Sequence, residues 1–389
     1  MSIIEPFISD LDESQQEIVR LAREFAQKEI APYAADWDRE KRYPEAVMRQ
    51  LAELGFFGMR VPEAFGGLGL DTLTYLLVLE ELATADAATS ITLSVHNSLP
   101  VSMLTAHGSD AQKQRWLPAM AKGEVLAAFS LSEAGAGSDA AAVRALAVRD
   151  GDQWVLSGEK AWVTNGDRAN LLVMLLRTDS PESRLGHRGM TMFLVPSDTP
   201  GVVSGKPEDK MGLRSSGTTT VALHDVRLSG EHVLGKEGEG FRYALQALDL
   251  GRMGVAAQAI GIARASLEHA VRYGAERQQF GKPIKDFQAI RFKLADMVSR
   301  ISASRALLFE TARAVENGMR VTERASMAKL FATESAMWVT NQAVQVYGGY
   351  GYMRDYPVER LFRDAKVTEI YEGTSEVQRI VIARGLYPK

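Results

Sequence analysis

The segment Ile370-Tyr371-Glu372-Gly373-Thr374-Ser375-Glu376 sets a carboxylate against a glycine and two hydroxyl residues, directly before an amphipathic helix. Ser375 and Gln378 have the spacing of a capping box, while Val377, Ile380, Val381 and Leu386 supply the apolar side of that helix. Free backbone N–H groups at a helix start favour an anion or a carbonyl oxygen. Glu372 therefore sits where an acid side chain and amide donors can meet one substrate. The same residues also describe an ordinary loop acid, so the rest of the chain has to decide.

Five further groups stand out. Ser132-Glu133-Ala134-Gly135-Ala136-Gly137-Ser138-Asp139 is a glycine loop with hydroxyls, but no periodic helix follows it, which excludes the dinucleotide fingerprint of a Rossmann fold. It is either a surface turn or a loop whose N–H groups meet a planar or phosphorylated ligand. Trp162-Val163-Thr164 offers an aromatic face and a hydroxyl, suited to a flat heteroaromatic ring and equally to plain core. Arg277, before Gln278-Gln279-Phe280-Gly281, could grip a phosphate bidentately or sit on the surface. Asp249 and Arg252 stand at i, i+3 among small residues, as an intrahelix ion pair or a groove. Gln345 to Tyr352, with Gly348 and Gly349, reads as a helix ending in a glycine turn.

The elements that must position these groups fall into three blocks. Residues 1–124 read as helices: Ile18, Leu21, Ala22 and Phe25 recur at helical spacing, 73–82 form another helix, and 87–108 form one that is nearly uncharged and hence buried. In that last helix Ser94-Val95-His96-Asn97-Ser98-Leu99 mixes polar and apolar groups, as a cavity wall or as core. Residues 125–236 carry short strand-like runs at 125–131, 153–156, 160–164, 171–176, 190–195 and 218–223, separated by Ser157-Gly158, Asn165-Gly166 and Thr199-Pro200-Gly201. Residues 237–389 return to helical spacing and read as a four-helix bundle. Helices, then strands, then helices predict an α+β protein with a middle antiparallel β-domain, not alternating βαβ units.

Bulk properties narrow the classes. The chain has 389 residues, 46% hydrophobic and 24% charged, so it can bury a core and is neither disordered nor fibrous. A net charge of -4 gives no general attraction to nucleic acid. The absence of cysteine excludes disulfides and thiol nucleophiles, and six scattered His argue against a metal site. No apolar run would insert in a membrane, and residues 1–5 begin neither a signal nor a transit peptide. The expected setting is the cytoplasm of a bacterium, or the mitochondrial matrix once a transit peptide is removed.

Taken together, Leu131 to Asp139, Trp162 to Asn165, Arg277 with Phe280-Gly281, Gln345 with Gly348 to Gly351, and Tyr371 to Glu376 resemble the hallmarks of the acyl-CoA dehydrogenase family, across nearly the whole chain. Ala134 departs from the family's usual proline without removing a contacting group. The resemblance implies non-covalent FAD, an acyl-CoA substrate, transfer of electrons to an electron-transferring flavoprotein, and a homotetramer built as a dimer of dimers. Its setting would be fatty acid β-oxidation. FAD would meet Phe129, Leu131, Ser132, Gly137, Ser138, Trp162, Val163, Thr164, Thr374 and Glu376, and a neighbouring subunit would add Arg277, Phe280, Gln288, Gln345, Gly348 and Gly349. Substrate would meet Ser138, Asp249, Arg252, Tyr371, Glu372 and Gly373.

In the family's reaction the catalytic base takes the α-proton of the thioester and a β-hydride leaves for the flavin, giving a trans-2-enoyl-CoA. Some branches carry that base just before the helix Arg, where this chain has Gly251, so the resemblance leaves Glu372 as the base. It favours the short- or medium-chain and short-branched group, butyryl-CoA-like substrates first, with residues 94–99 near the acyl pocket. Two alternatives remain: an acyl-CoA oxidase on the same fold, which would make peroxide, and a non-catalytic acyl-CoA-binding protein.

Overall fold

Residues 73–82 lack a polar face, and the computed structural model, which describes residues 11–179 and 186–387, buries nearly all of them. They lie in α4 (Thr72–Ala85), which follows α1 (Glu13–Phe25), α2 (Ala34–Glu40) and α3 (Glu45–Glu53). Then come α5 (Ala87–His96), α6 (Ser102–His107) and α7 (Asp110–Ala121). The single helix expected over 87–108 is interrupted by a π-turn at Asn97–Val101, because Pro100 has no N–H to give the helical ladder. The reading of residues 1–5 lies outside the described residues.

The middle segment is one eight-stranded sheet, ordered β6-β7-β3-β2-β4-β5-β8 with β1 on β4. Its strands are β1 (Ala127–Ser130), β2 (Leu146–Asp150), β3 (Gln153–Thr164), β4 (Leu171–Arg177), β5 (Met190–Pro196), β6 (Val202–Ser204), β7 (Thr218–Ser229) and β8 (Val233–Leu234). Most pairings are antiparallel as expected, but β1 runs parallel to β4. Parallel neighbours need a long crossover, and the β2–β3 excursion provides it. The two short strands expected at 153–156 and 160–164 are one strand. Ser157-Gly158 reads locally as a turn, yet Gly158, at φ 136°, absorbs a register shift against β7.

Three long helices follow, α8 (Gly240–Glu276), α9 (Gln288–Glu316) and α10 (Thr322–Tyr347), with a small hairpin β9 (Gln278–Gln279) and β10 (Lys282–Pro283) between the first two. Two shorter ones, α11 (Pro357–Thr368) and α12 (Ser375–Leu386), pack on α10. Helix α4 packs on α8, so the first and last helical segments share one core. At that seam the buried Arg264 pairs with Glu80 at 2.6 Å and Glu81 at 2.9 Å, and Arg23 of α1 also reaches Glu81. Among the described residues no helix is long and apolar enough to cross a membrane, and no cluster of side chains could hold a metal ion.

Candidate active site

Glu372 ends the turn between α11 and α12 in a left-handed conformation, φ 52°, followed by Gly373 at φ 95°. Two successive positive φ values are costly for a glutamate. They persist because the turn's carbonyls are held: Gln378 Nε2 donates to Glu372 O at 3.2 Å and to Gly373 O at 2.8 Å, and Lys329 Nζ donates to Gly373 O at 2.7 Å. Both donor side chains are fully buried. The cap of α12 differs from the capping box expected at Ser375. Thr374 is the N-cap, its hydroxyl accepting from Val377 N–H, and Gln378 is turned toward the Glu372 turn instead.

The Glu372 carboxylate points inward. Both oxygens are sealed from solvent and accept no hydrogen bond. Burial pushes its pKa up to about 7, opposed by the charges of Lys329 and Arg252. It lies over Gly251 of α8, where a Cβ would overlap Oε2 and would also stand 3.1 Å from Leu99 Cδ2. One turn along, a Cβ on Gly254 would come 2.5 Å from Ser94 Oγ, a buried hydroxyl without a partner, while Tyr75 OH donates to Ser94 O at 3.3 Å. Leu99 and Ser94 thus pack against the same face of α8 as Glu372.

Asp249 and Arg252 form the intrahelix pair, at 2.9 Å, and Thr322 donates to the second Asp249 oxygen at 2.7 Å. Tyr371 is hydrogen-bonded to Gln258, whose amide donates to Ala87 O at 2.7 Å.

A second group gathers where the sheet meets these helices. A bulge in β3 puts Trp162 at φ 55° and leaves it 58% exposed, while Val163 beside it is buried in the sheet core, so only its backbone is free to meet a ligand. Ala161 N–H donates to Ser132 O at 2.9 Å, joining the bulge to the loop of residues 131–139. Phe129, Leu131, Ser132 and Thr164 are half-buried; Gly137, Ser138 and Glu376 are exposed, and Thr374 is half-buried. The loop is anchored by a residue whose role the sequence did not disclose: buried Glu133 accepts from Arg144 N–H, Ala145 N–H and Lys160 Nζ, at 2.8, 3.0 and 2.9 Å. Lys160 also donates to Leu131 O. His96 Nδ1 accepts from Ala127 N–H and Asn165 donates to Thr92 O, tying β1 and β3 to α5. An exposed indole forced out of the core, flanked by hydroxyls and a pinned loop, fits a flat heteroaromatic group such as a flavin.

Arg277, Phe280, Gln288, Gln345, Gly348 and Gly349 form a third group, at the other end of the helices. Arg277 lies over the Tyr350 ring at 5.3 Å, Tyr273 stacks on Tyr347, and Phe280 is 92% exposed at the hairpin tip. Along α10, Gln345 is sixteen residues from Lys329, about 24 Å at helical rise.

A sealed carboxylate and an exposed, pinned platform for a flat cofactor suit an oxidoreductase that activates carbon–hydrogen bonds. Residues 12–124, 128–226 and 238–387 match the family models of the acyl-CoA dehydrogenase N-terminal, middle and C-terminal domains. The mitochondrial short-chain specific acyl-CoA dehydrogenase of Mus musculus is 45% identical over 374 residues, covering 96% of this chain and 90% of that protein. Butyryl-CoA dehydrogenase from Megasphaera elsdenii has a structure similar at TM-score 0.94 and 42% identity, over 97% of this chain and 99% of the other. A structure from work on the electron transferring flavoprotein of Acidaminococcus fermentans and flavin-based electron bifurcation gives TM-score 0.95 at 44% identity, over 98% and 99%. The chain belongs to the acyl-CoA dehydrogenase family, FAD-dependent oxidoreductases that act on acyl-CoA thioesters.

Proposed function

We propose that this protein oxidises short- or medium-chain acyl-CoA thioesters, with Glu372 as the base that removes the α-proton. The observation that carries this reading is the Glu372 carboxylate, sealed from water, without a hydrogen-bond partner, and raised to a pKa of about 7. A base is most effective when its pKa lies near the working pH. Bound FAD supplies the acceptor for the β-hydride. The chain's own part is to hold the thioester's α-carbon against Glu372 and to exclude water. By the family resemblance, the Glu372 N–H would donate to the thioester oxygen. A donor of that kind is typically worth about 2.7–4 kcal/mol to a developing oxyanion.

FAD would rest against Trp162, Thr164, Ser132, Leu131 and Phe129, with Gly137, Ser138, Thr374, Glu376 and the Val163 backbone around it. Substrate would reach Glu372 past Ser138, Asp249, Arg252, Tyr371 and Gly373. By the family resemblance, a second copy would bring Arg277, Phe280, Gln288, Gln345, Gly348 and Gly349 to the cofactor, as in a homotetramer; within one protomer Gln345 lies about 24 Å along α10 from Lys329. The proposed acceptor is an electron-transferring flavoprotein, the setting fatty acid β-oxidation, and the location the cytoplasm of a bacterium or the mitochondrial matrix. Segments 1–124, 125–236 and 237–389 are the proposed domains.

The test is a visible spectrum of the purified protein under anaerobic titration with butyryl-CoA and with longer and branched acyl-CoAs. Rapid bleaching of a yellow protein by short thioesters is expected. A yellow protein bleached only by long chains would overturn the substrate class, and one bleached by no acyl-CoA would overturn the activity.

A further inference from the structure

A lysine inside a helical core is expensive, because an ammonium loses its hydration there and must be repaid by specific partners. Lys329 of α10 is such a residue: its side chain is fully buried, and among the described residues its one hydrogen bond is the 2.7 Å contact to Gly373 O. Nothing in that bond stabilises α10 itself. It reaches the turn that presents Glu372, whose two positive φ values need an external hold. Gln378 grips the same carbonyl from α12, so Gly373 O is clamped from two helices.

We infer that Lys329 is a positioning residue for the proton-abstraction step: by holding the Gly373 carbonyl it fixes the turn that presents Glu372 to substrate, and it places a buried positive charge behind that turn. The inference rests on Glu372 being the base. Two roles meet in one ammonium. As a donor it sets the direction of the Gly373 carbonyl. As a charge it offsets the desolvation of a carboxylate that has no hydrogen bond of its own.

The groups that face Glu372 are Lys329 from α10, Arg252 from α8, the neighbouring phenol Tyr371 and Tyr75 from α4. Those that face Lys329 are Glu372, Arg252, Glu369 and Glu376. Arg252 is engaged with Asp249, which leaves Lys329 as the cation held against the turn itself. Burial lowers the pKa of Lys329 to about 8, against the pull of Glu372, so it still carries its charge at neutral pH.

Three variants of the FAD-loaded enzyme test this: Lys329→Met, which removes donor and charge at similar volume; Lys329→Gln, which keeps a donor; and Glu372→Gln. The readout is the pH profile of kcat/KM with butyryl-CoA, which reports the base in the free enzyme. The acid limb of both lysine variants should move up by about one pH unit or more, the size expected for loss of an adjacent opposite charge. Lys329→Met should also lose at least about tenfold in kcat at the new plateau, which Lys329→Gln should partly regain. An unmoved acid limb in both variants would overturn the inference, as would failure of both to fold, since the role is positional. Turnover surviving in Glu372→Gln would instead overturn the base assignment, whatever the lysine variants do.

Discussion

The Glu372 carboxylate occupies the volume that any side chain at Gly251 would need. The glycine is therefore a structural condition for the acid, not a neutral helix position. Gly251→Ala should fold normally, since alanine is the better helix former by about 1 kcal/mol, while the displaced carboxylate costs roughly 10²-fold in kcat/KM, the scale of a misplaced reacting group. Steady-state kinetics beside a thermal melt would check it; near-normal turnover would mean that Glu372 works from another position.

Glu372 links activity to stability. Its pKa rises from an ordinary 4.5 to about 7, so the folded state holds a proton that the unfolded chain releases between those values. The stabilisation is complete below pH 4.5 and lost as pH climbs through 7. Glu372→Gln, neutral at every pH, should raise the Tm at pH 8 by a few degrees, on the order of 2–4 °C per kcal/mol for a large domain, with little change at pH 5, while nearly all turnover disappears. Equal Tm shifts at both pH values would refute the linkage.

Leu99 faces the same space as Glu372 and Gly251. Leu99→Ala should shift the preferred acyl chain upward by one or two carbons, because a methylene in such a pocket is worth roughly 1–3 kcal/mol. Comparing kcat/KM for butyryl-, hexanoyl- and octanoyl-CoA decides it; an unchanged ranking removes Leu99 from the pocket.

The loop of residues 131–139 hangs on Glu133 and Lys160. Glu133→Gln leaves a buried ammonium without its counter-charge and loosens the backbone bonds at residues 144 and 145. FAD retention in a dilution or dialysis assay should weaken by about tenfold or more, near 1.4 kcal/mol. Unaltered retention would show that the loop is held by other contacts.

Much of this was legible in the chain. Apolar spacing marked α1, α4, α8, α9 and α10, and short apolar runs marked β4 and β5, which are buried on both faces, and the start of β7. Glu372 stood out because glycine and threonine follow it. Lys329 and Lys160 did not, since a lysine within a helix or strand has the signature of a solvated face, and its partner lies 27 to 44 residues away; Gln378 read as a capping-box partner, and its hold on the Glu372 turn was not visible from spacing. The bulge at Trp162 was hidden for a related reason: a left-handed tryptophan follows from pairing with β7, and no local residue type announces it. Val163 follows from the same pairing: its side chain completes the sheet core, so only its backbone can meet a ligand.

The separation of about 24 Å along α10 between the Lys329 end and the Gln345 end carries a thermodynamic consequence. Under the shared-site proposal, each cofactor is a tether between chains. Cofactor occupancy and subunit association then become one linked equilibrium, so dilution should release FAD as free, fluorescent flavin, and added FAD should pull separated subunits back together.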